Sequence, residues 1–417
     1  MHDARHRTRT LVLITLLHGF THVYQVALLP LYLLLQRDLK LDSVDLATAL
    51  VTVMLLVYFV PSYFMGVLAD RFSRKKLLGW GLVINALGFV GLAYAPNYPT
   101  VLTCVAVAGL GGSFYHPAAT ALVARLYPVN TGRALGLAGM GAGIGFFVGP
   151  LYAGWRASTA GWRAPMLELG LLGLVMAAVF FWLAQESSEP PAETHPAKAP
   201  SKIPLFPTPA LWLLFLGAAV AFSLRDFSGG SMGSLTSLFL QKAHNFAAKD
   251  AGVALSAMFL GAVFSNPIFG SLSDRARIRW TLFVLTMSGL LIALMPHMEG
   301  AGLKAAFFFY GFFQMGSYPM VEAALMQAVP DAVRGRVFGL FITIGGLVGN
   351  VSHWAAGRWV HRLGDGASAV PPYFPLYLTL AVLVFLSLLG LPCLHALRRR
   401  EVQLGSAPAH APIPLPR

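Results

Sequence analysis

Gly66-Val67-Leu68-Ala69-Asp70-Arg71-Phe72-Ser73-Arg74-Lys75-Lys76 is a short charged stretch between two apolar segments. A weaker copy returns as Gly270-Ser271-Leu272-Ser273-Asp274-Arg275-Ala276-Arg277-Ile278-Arg279. Asp70 and Asp274 lie about 204 positions apart in a chain of 417, which is the period of a two-fold internal repeat. An acidic-basic hairpin repeated half a chain later, each time between apolar segments, predicts two similar halves facing each other in a membrane.

Composition supports the membrane. Hydrophobic residues make up 56% of the chain and charged residues 11%, against about 25% charged in a soluble domain. So few charges cannot cover a water-facing surface. The net charge of +13 does not gather on one basic face; Lys and Arg punctuate the ends of apolar segments, which is membrane orientation rather than nucleic-acid binding. The two cysteines, Cys104 and Cys393, each lie in an apolar run and indicate neither a disulfide framework nor a thiolate metal site.

A crossing needs about 20 mostly apolar residues. Twelve segments meet that description: 11–36, 46–68, 77–95, 99–125, 134–155, 163–184, 209–240, 250–272, 280–297, 301–328, 336–360 and 372–397. None alternates with period two, which argues against a β-barrel. The first is too long for a signal-peptide core and is read as a retained helix. With the N-terminus inside, Lys and Arg on the inner side outnumber those on the outer side roughly two to one, placing both termini in the cytoplasm. The expected organisation is an N-terminal six-helix bundle over 1–184, a Pro-rich cytoplasmic linker over 185–208, a C-terminal six-helix bundle over 209–400, and a disordered cytoplasmic tail over 401–417. Both halves start on the same side, so the repeat is parallel, with its pseudo-two-fold axis along the membrane normal. Pro117 and Pro319, Pro128 and Pro330, and Gly132-Arg133 and Gly335-Arg336 repeat at nearly the same offset.

Twelve helices, a six-plus-six parallel repeat and this hairpin resemble the major facilitator superfamily over essentially the whole chain. The resemblance implies that Gly66, Asp70, Arg71 and Arg74, with the weaker Asp274 and Arg275, form a conformational latch between the halves. In the fifth segment Gly136, Gly145, Gly149-Pro150 and Gly154 keep the spacing of the family's antiporter motif, with Ala153 in place of one glycine. That similarity implies proton-coupled export. His18-Gly19-Phe20-Thr21-His22-Val23-Tyr24-Gln25 and Gly112-Ser113-Phe114-Tyr115-His116-Pro117 are similar to the fosmidomycin-resistance branch. The fourth segment has Val105 four residues before Gly109, where many drug exporters of the family carry an arginine, so their proton-relay scheme does not transfer.

Ionisable groups at membrane depth are costly and mark function by default. His18 and His22 share a helix face at i, i+4; His116, Arg225, Asp226 and Glu322 lie inside other segments. The repeat offset carries His22 onto Asp226, so the halves place titratable groups at matching depths, both expected to face a central cavity. Asp226, His22, His116 and Glu322 are the candidates for carrying a proton. Arg225, His18, Tyr24, Gln25, Tyr115, Gln314 and Tyr318 are candidates for contacting substrate. Adjacent residues of a helix point about 100° apart, so Arg225 and Asp226 are each expected to find another partner. The His18–His22 spacing suits a metal, but no third ligand is evident and no metal site is expected. Gly229, Gly230 and Gly233 predict an unwound stretch in the seventh segment.

These features predict an all-helical membrane transporter, not an enzyme, that exports a small organic compound in exchange for protons. It is expected to be monomeric, in a bacterial inner membrane, with the proton gradient as energy source and no cofactor, since no nucleotide-binding loop is present. A symporter or uniporter for an anionic metabolite held by Arg225 is the alternative; a non-transporting sensor or intramembrane enzyme is remote.

Overall fold

Prolines decide where several helices break. The computed structural model describes residues 2–127, 131–186, 204–329 and 333–405. In it α1 (His2–Val26) gives way at the Leu29–Leu31 turn, which contains Pro30, and resumes as α2 (Tyr32–Asp38). Pro61 separates α3 (Val44–Phe59) from α4 (Ser62–Arg71). After α5 (Arg74–Tyr94), α6 (Tyr98–Ser113) stops one residue before α7 (Tyr115–Leu126); Pro117 has no N–H for the Ser113 carbonyl. The chain continues through α8 (Thr131–Ala160), α9 (Arg163–Leu183), α10 (Pro209–Lys242) and α11 (Ala248–Leu294). Then come α12 (Gly300–Ala328), α13 (Arg334–Arg362), α14 (Phe374–Ser387) and α15 (Gly390–Gly405), the last two parted by a break that Pro392 would impose on the Leu388 carbonyl.

Joined across these breaks, the helices make twelve crossings among the described residues. Ten stretches are long and apolar enough to cross a membrane, and Val44–Phe59 is a shorter apolar helix. α11 supplies two crossings, folded at Ala276, the one residue inside it with non-helical backbone angles (φ −150°, ψ 53°). Side-chain oxygens of Ser73, Asn97 and Thr208 accept hydrogen bonds from Lys76, Thr100 and Leu211 and start α5, α6 and α10. Val175, Leu213 and Trp182 are 62%, 73% and 82% exposed; in a bundle whose backbone groups are satisfied within helices, that outward apolar surface is a lipid-facing one.

The twelve segments read from sequence correspond to these crossings, with differences. α1 begins at His2, ahead of the expected start, and α15 runs to Gly405, into the segment expected as a tail. Most of the linker, 187–203, and the tail from 406 lie outside the described residues, as do Pro128 and Pro330. The stretch around Gly229, Gly230 and Gly233 is not unwound: α10 is continuous from Pro209 to Lys242. The glycines serve close approach instead. A Cβ on Gly230 would come within 2.9 Å of the Gly349 carbonyl of α13, and one on Gly233 within 3.4 Å of Leu29.

The two six-helix halves meet along α8 with α11 and α3 with α13. Call the end of the bundle that carries the start of α1 the terminal end, and the opposite one the far end. At the far end, Gly154 of α8 sits against Ala248 and Gly252 of α11, and Gly357 of α13 against Asp45 and Thr48 of α3. At the terminal end, Gly66 of α4, Gly136 and Gly139 of α8 and Gly339 of α13 have nothing among the described residues within 4 Å of a Cβ position. Among the described residues, then, the halves are in contact at the far end and apart at these terminal-end glycines.

Candidate functional site

Two polar clusters sit at mid-depth, one in each half. In the N-terminal half, α8 glycines let α1 lie against it: a Cβ on Gly141 would come within 2.9 Å of His18 Cβ, and one on Gly145 within 3.0 Å of His22 Cβ. This contact fixes the helix face that carries both histidines. The His18 and His22 Nε2 atoms are 3.1 Å apart. Each ring is also held from behind. His18 Nδ1 is 2.8 Å from the Ala138 carbonyl oxygen, and His22 Nδ1 is 2.8 Å from Gln25 Oε1. The break between α6 and α7 brings Tyr115 and His116 into the same cluster. Tyr115 stacks on His18 (4.4 Å, 17°) and its hydroxyl donates to the Ile14 carbonyl. His116 meets His18 edge-on at 5.2 Å and, unlike the 8%-exposed His18 and His22, it is exposed. Candidate ligand nitrogens of all three histidines lie within 4.8 Å of one another, so the structure brings His116 to the place where the sequence offered no third candidate ligand.

Phe146 of α8 roofs this cluster on its far side. Its ring is 4.2 Å from that of His22 and stacks on Phe259 of α11 at 5.1 Å and 18°. The histidines therefore sit directly against the contact between the halves.

The second cluster lies on α10 and α12. Arg225 is 2% exposed and donates to Asp226 Oδ1 from Nε (3.0 Å) and Nη2 (2.8 Å). The expectation that these neighbours point apart to separate partners is corrected: the long guanidinium folds back onto the adjacent carboxylate, because a buried charge costs several kcal/mol unless paired. Arg225 also stacks over Tyr318 (3.9 Å) and donates to Ser317 Oγ at 3.4 Å. Asp226 nests against Gly345 and Gly349 of α13. Glu322 lies one turn beyond Tyr318 on α12 and is half-buried. The repeat relates the clusters: the offset joining Pro117 to Pro319 carries His116 onto Tyr318.

Two candidate substrate contacts are buried between helices. Tyr24 is 1% exposed, with its hydroxyl on the Leu169 carbonyl of α9, and Gln314 is fully buried between Ser288 Oγ and the Arg225 carbonyl. Both secure helices, since a buried polar group is placed where it can be satisfied. Of the latch residues, the side chains of Asp70, Asp274 and Arg275 lie outside the described residues. Arg71 is exposed, and the backbone N–H groups of Arg74 and Lys75 donate to the carboxylate of Glu186, which caps α5 from beyond the end of α9.

The sequence reading missed the seal at the far end. Ser228, Ser231, Ser234 and Ser237 recur every third residue along α10, and all are fully buried. Ser234 Oγ is 2.8 Å from both Tyr32 of α2 and His353 Nδ1 of α13, and Ser237 donates to the Leu29 carbonyl. On the other boundary, Thr52 Oγ1 donates to the Asn350 carbonyl and accepts from the Trp354 N–H, each at 2.9 Å. The serine spacing was the available signal: small hydroxyl side chains winding around a helix let each of its neighbours pack closely, and Ser234 and Ser237 are the two that reach the other half.

A two-halved helical bundle, held together at one end and carrying a polar cluster at mid-depth in each half, has the form of a membrane transporter. The chain belongs to the Major Facilitator Superfamily, whose model matches residues 11–353; it is a multi-pass transporter of small molecules. It is 27% identical to a multi-drug resistance efflux pump, PmrA, of Streptococcus pneumoniae, over 68% of this chain and 72% of that protein. It is 28% identical to a quinolone resistance protein, NorA, of Staphylococcus aureus, over 62% of this chain and 66% of that one. A bacterial homologue of the human lysosomal transporter Spinster, solved inward-facing and unoccupied, shares the fold with a TM-score of 0.74 at 16% identity, covering 95% of this chain and 98% of that one.

Proposed function

We propose that this protein exports a small organic compound in exchange for protons, by alternating access, from a bacterial inner membrane with both termini in the cytoplasm. In that orientation the terminal-end opening faces the cytoplasm and receives the compound. The observation that carries the reading is the pair of carboxylates, Asp226 and Glu322, at mid-depth of an apolar bundle, where ionisable groups persist for function. The glycine spacing of α8 and the similarity to the efflux pump PmrA and the quinolone resistance protein NorA support the direction. A carboxylate that holds either a proton or a substrate group, never both, forces exchange. Asp226 is engaged by Arg225, which leaves Glu322 the carboxylate open to substrate, with Asp226 setting whether Arg225 is paired. The anionic-metabolite reading needs a free Arg225 guanidinium, and this one is already bonded on all three nitrogens.

Reconstitution in proteoliposomes under an imposed pH gradient tests this. An acidic far side should drive substrate accumulation toward that side, and Glu322→Gln should abolish uphill movement while keeping downhill exchange. Flux indifferent to the gradient removes the antiport assignment.

A further inference from the structure

We infer that His18, His22 and His116 form a binding site for a divalent transition cation of the zinc class, reached from the exposed side of His116. A backbone carbonyl can only accept, so His18 Nδ1, 2.8 Å from Ala138 O, carries its ring proton. His22 Nδ1 is 2.8 Å from the Gln25 side-chain amide, and with the amide oxygen toward the ring it too carries its proton. Both neutral rings then present an Nε2 lone pair, and the two Nε2 atoms converge to 3.1 Å. Two lone pairs aimed at each other repel unless a cation lies between them.

The spacing suits a metal. Zinc–nitrogen bonds of about 2.0–2.1 Å at a tetrahedral angle put ligand nitrogens about 3.3 Å apart, close to the observed separation. A ring N–H held by a carbonyl or amide oxygen, leaving the other nitrogen for the ion, is the usual outer-sphere arrangement of metal-binding histidine. A proton between the Nε2 atoms would answer their repulsion but leave His116 unused. His116 brings a third nitrogen within 4.8 Å of the others. It makes ring contacts with no hydrogen bond among the described residues, and it is exposed, so it can swing in by χ rotation. Three imidazoles leave the fourth position of the ion open to cavity water or to a ligand atom of a bound compound.

The inference does not rest on the export reading, and its test uses resting protein without a gradient, so either can fail alone. Purified full-length protein is titrated with Co²⁺, followed by visible absorption, and then with Zn²⁺ in competition. One Co²⁺ per chain with the strong visible bands of tetrahedral coordination, displaced by Zn²⁺, is expected. His116→Ala, which removes no hydrogen bond, should weaken Co²⁺ binding at least tenfold with an unchanged melting curve. Gln25→Leu, which removes the oxygen behind His22, should weaken it about 10–100-fold. His361→Ala, on the exposed end of α13, should leave it unchanged. Absence of the tetrahedral bands at millimolar Co²⁺, or bands of equal affinity in His116→Ala, overturns the assignment.

Discussion

Phe146 and Phe259 stack across the boundary between the halves, and the same Phe146 ring lies against His22. Whatever binds at the histidines therefore presses on a residue that also holds the far end shut. An aromatic pair contributes about 0.5–1.5 kcal/mol beyond its buried area. Phe259→Ala should raise the population open at the far end roughly tenfold or less. A cysteine placed at the far end, in a background lacking Cys104 and Cys393, should be labelled correspondingly faster by a membrane-impermeant maleimide.

The serine seam makes a graded prediction. Ser234→Ala strands two buried polar atoms, Tyr32 Oη and His353 Nδ1, at about 1–3 kcal/mol each. Ser228→Ala leaves only the Leu380 carbonyl, which keeps its helical bond. Thermal unfolding in detergent should show a clearly larger loss for Ser234→Ala; equal losses would mean that the Tyr32–Ser234–His353 chain does not hold the seal.

Arg225 and Asp226 should be strongly non-additive. Removing one partner leaves a buried charge uncompensated, at about 3–5 kcal/mol, whereas replacing both is close to neutral. Arg225→Gln and Asp226→Asn should each lower the unfolding temperature, and the double variant should recover much of that loss. If the single effects simply add, the pair is not the partnership the geometry describes.

Glu186→Ala removes the carboxylate that accepts from Ser73 Oγ and from the N–H groups of Arg74 and Lys75 at the start of α5. Loss of such a cap costs about 0.5–2 kcal/mol. A modest fall in melting temperature with transport retained is the expected result, and lost transport at full stability would assign the hairpin a role beyond capping.

Much of the fold was legible because it is written in local chemistry: apolar length gives crossings, proline gives breaks, and the repeat gives two halves. The site was legible only in part. His18 and His22 announce themselves through i, i+4 spacing, and the repeat offset singles out Asp226, which the structure pairs with Arg225. What spacing could not supply was the third dimension. His116 joins the histidines because the Pro117 break turns α7 toward α1, and Tyr24 and Gln314 turn away because each has a backbone group to satisfy. Arg225 folding onto its own neighbour defied the 100° rule because its side chain is long enough to reach around the helix. The glycines of α10 suggested unwinding where they provide contact, since glycine alone cannot distinguish a loosened backbone from a close neighbour.

One stripe of α8 faces the other half: Gly136, Gly139, Gly143, Phe146, Pro150 and Gly154. Its far portion is in contact with α11, while Gly136 and Gly139 touch nothing among the described residues within 4 Å of a Cβ position. A helix smooth along its whole length but engaged along only part of it works as a bearing with one end loaded and the other idle. Rocking the halves would transfer the load from Gly154 to Gly136 without remaking the surface between them. The regular glycine spacing is then the track on which the two states share a single axle, and a bulky side chain at the idle end should cost nothing until the protein tries to turn over.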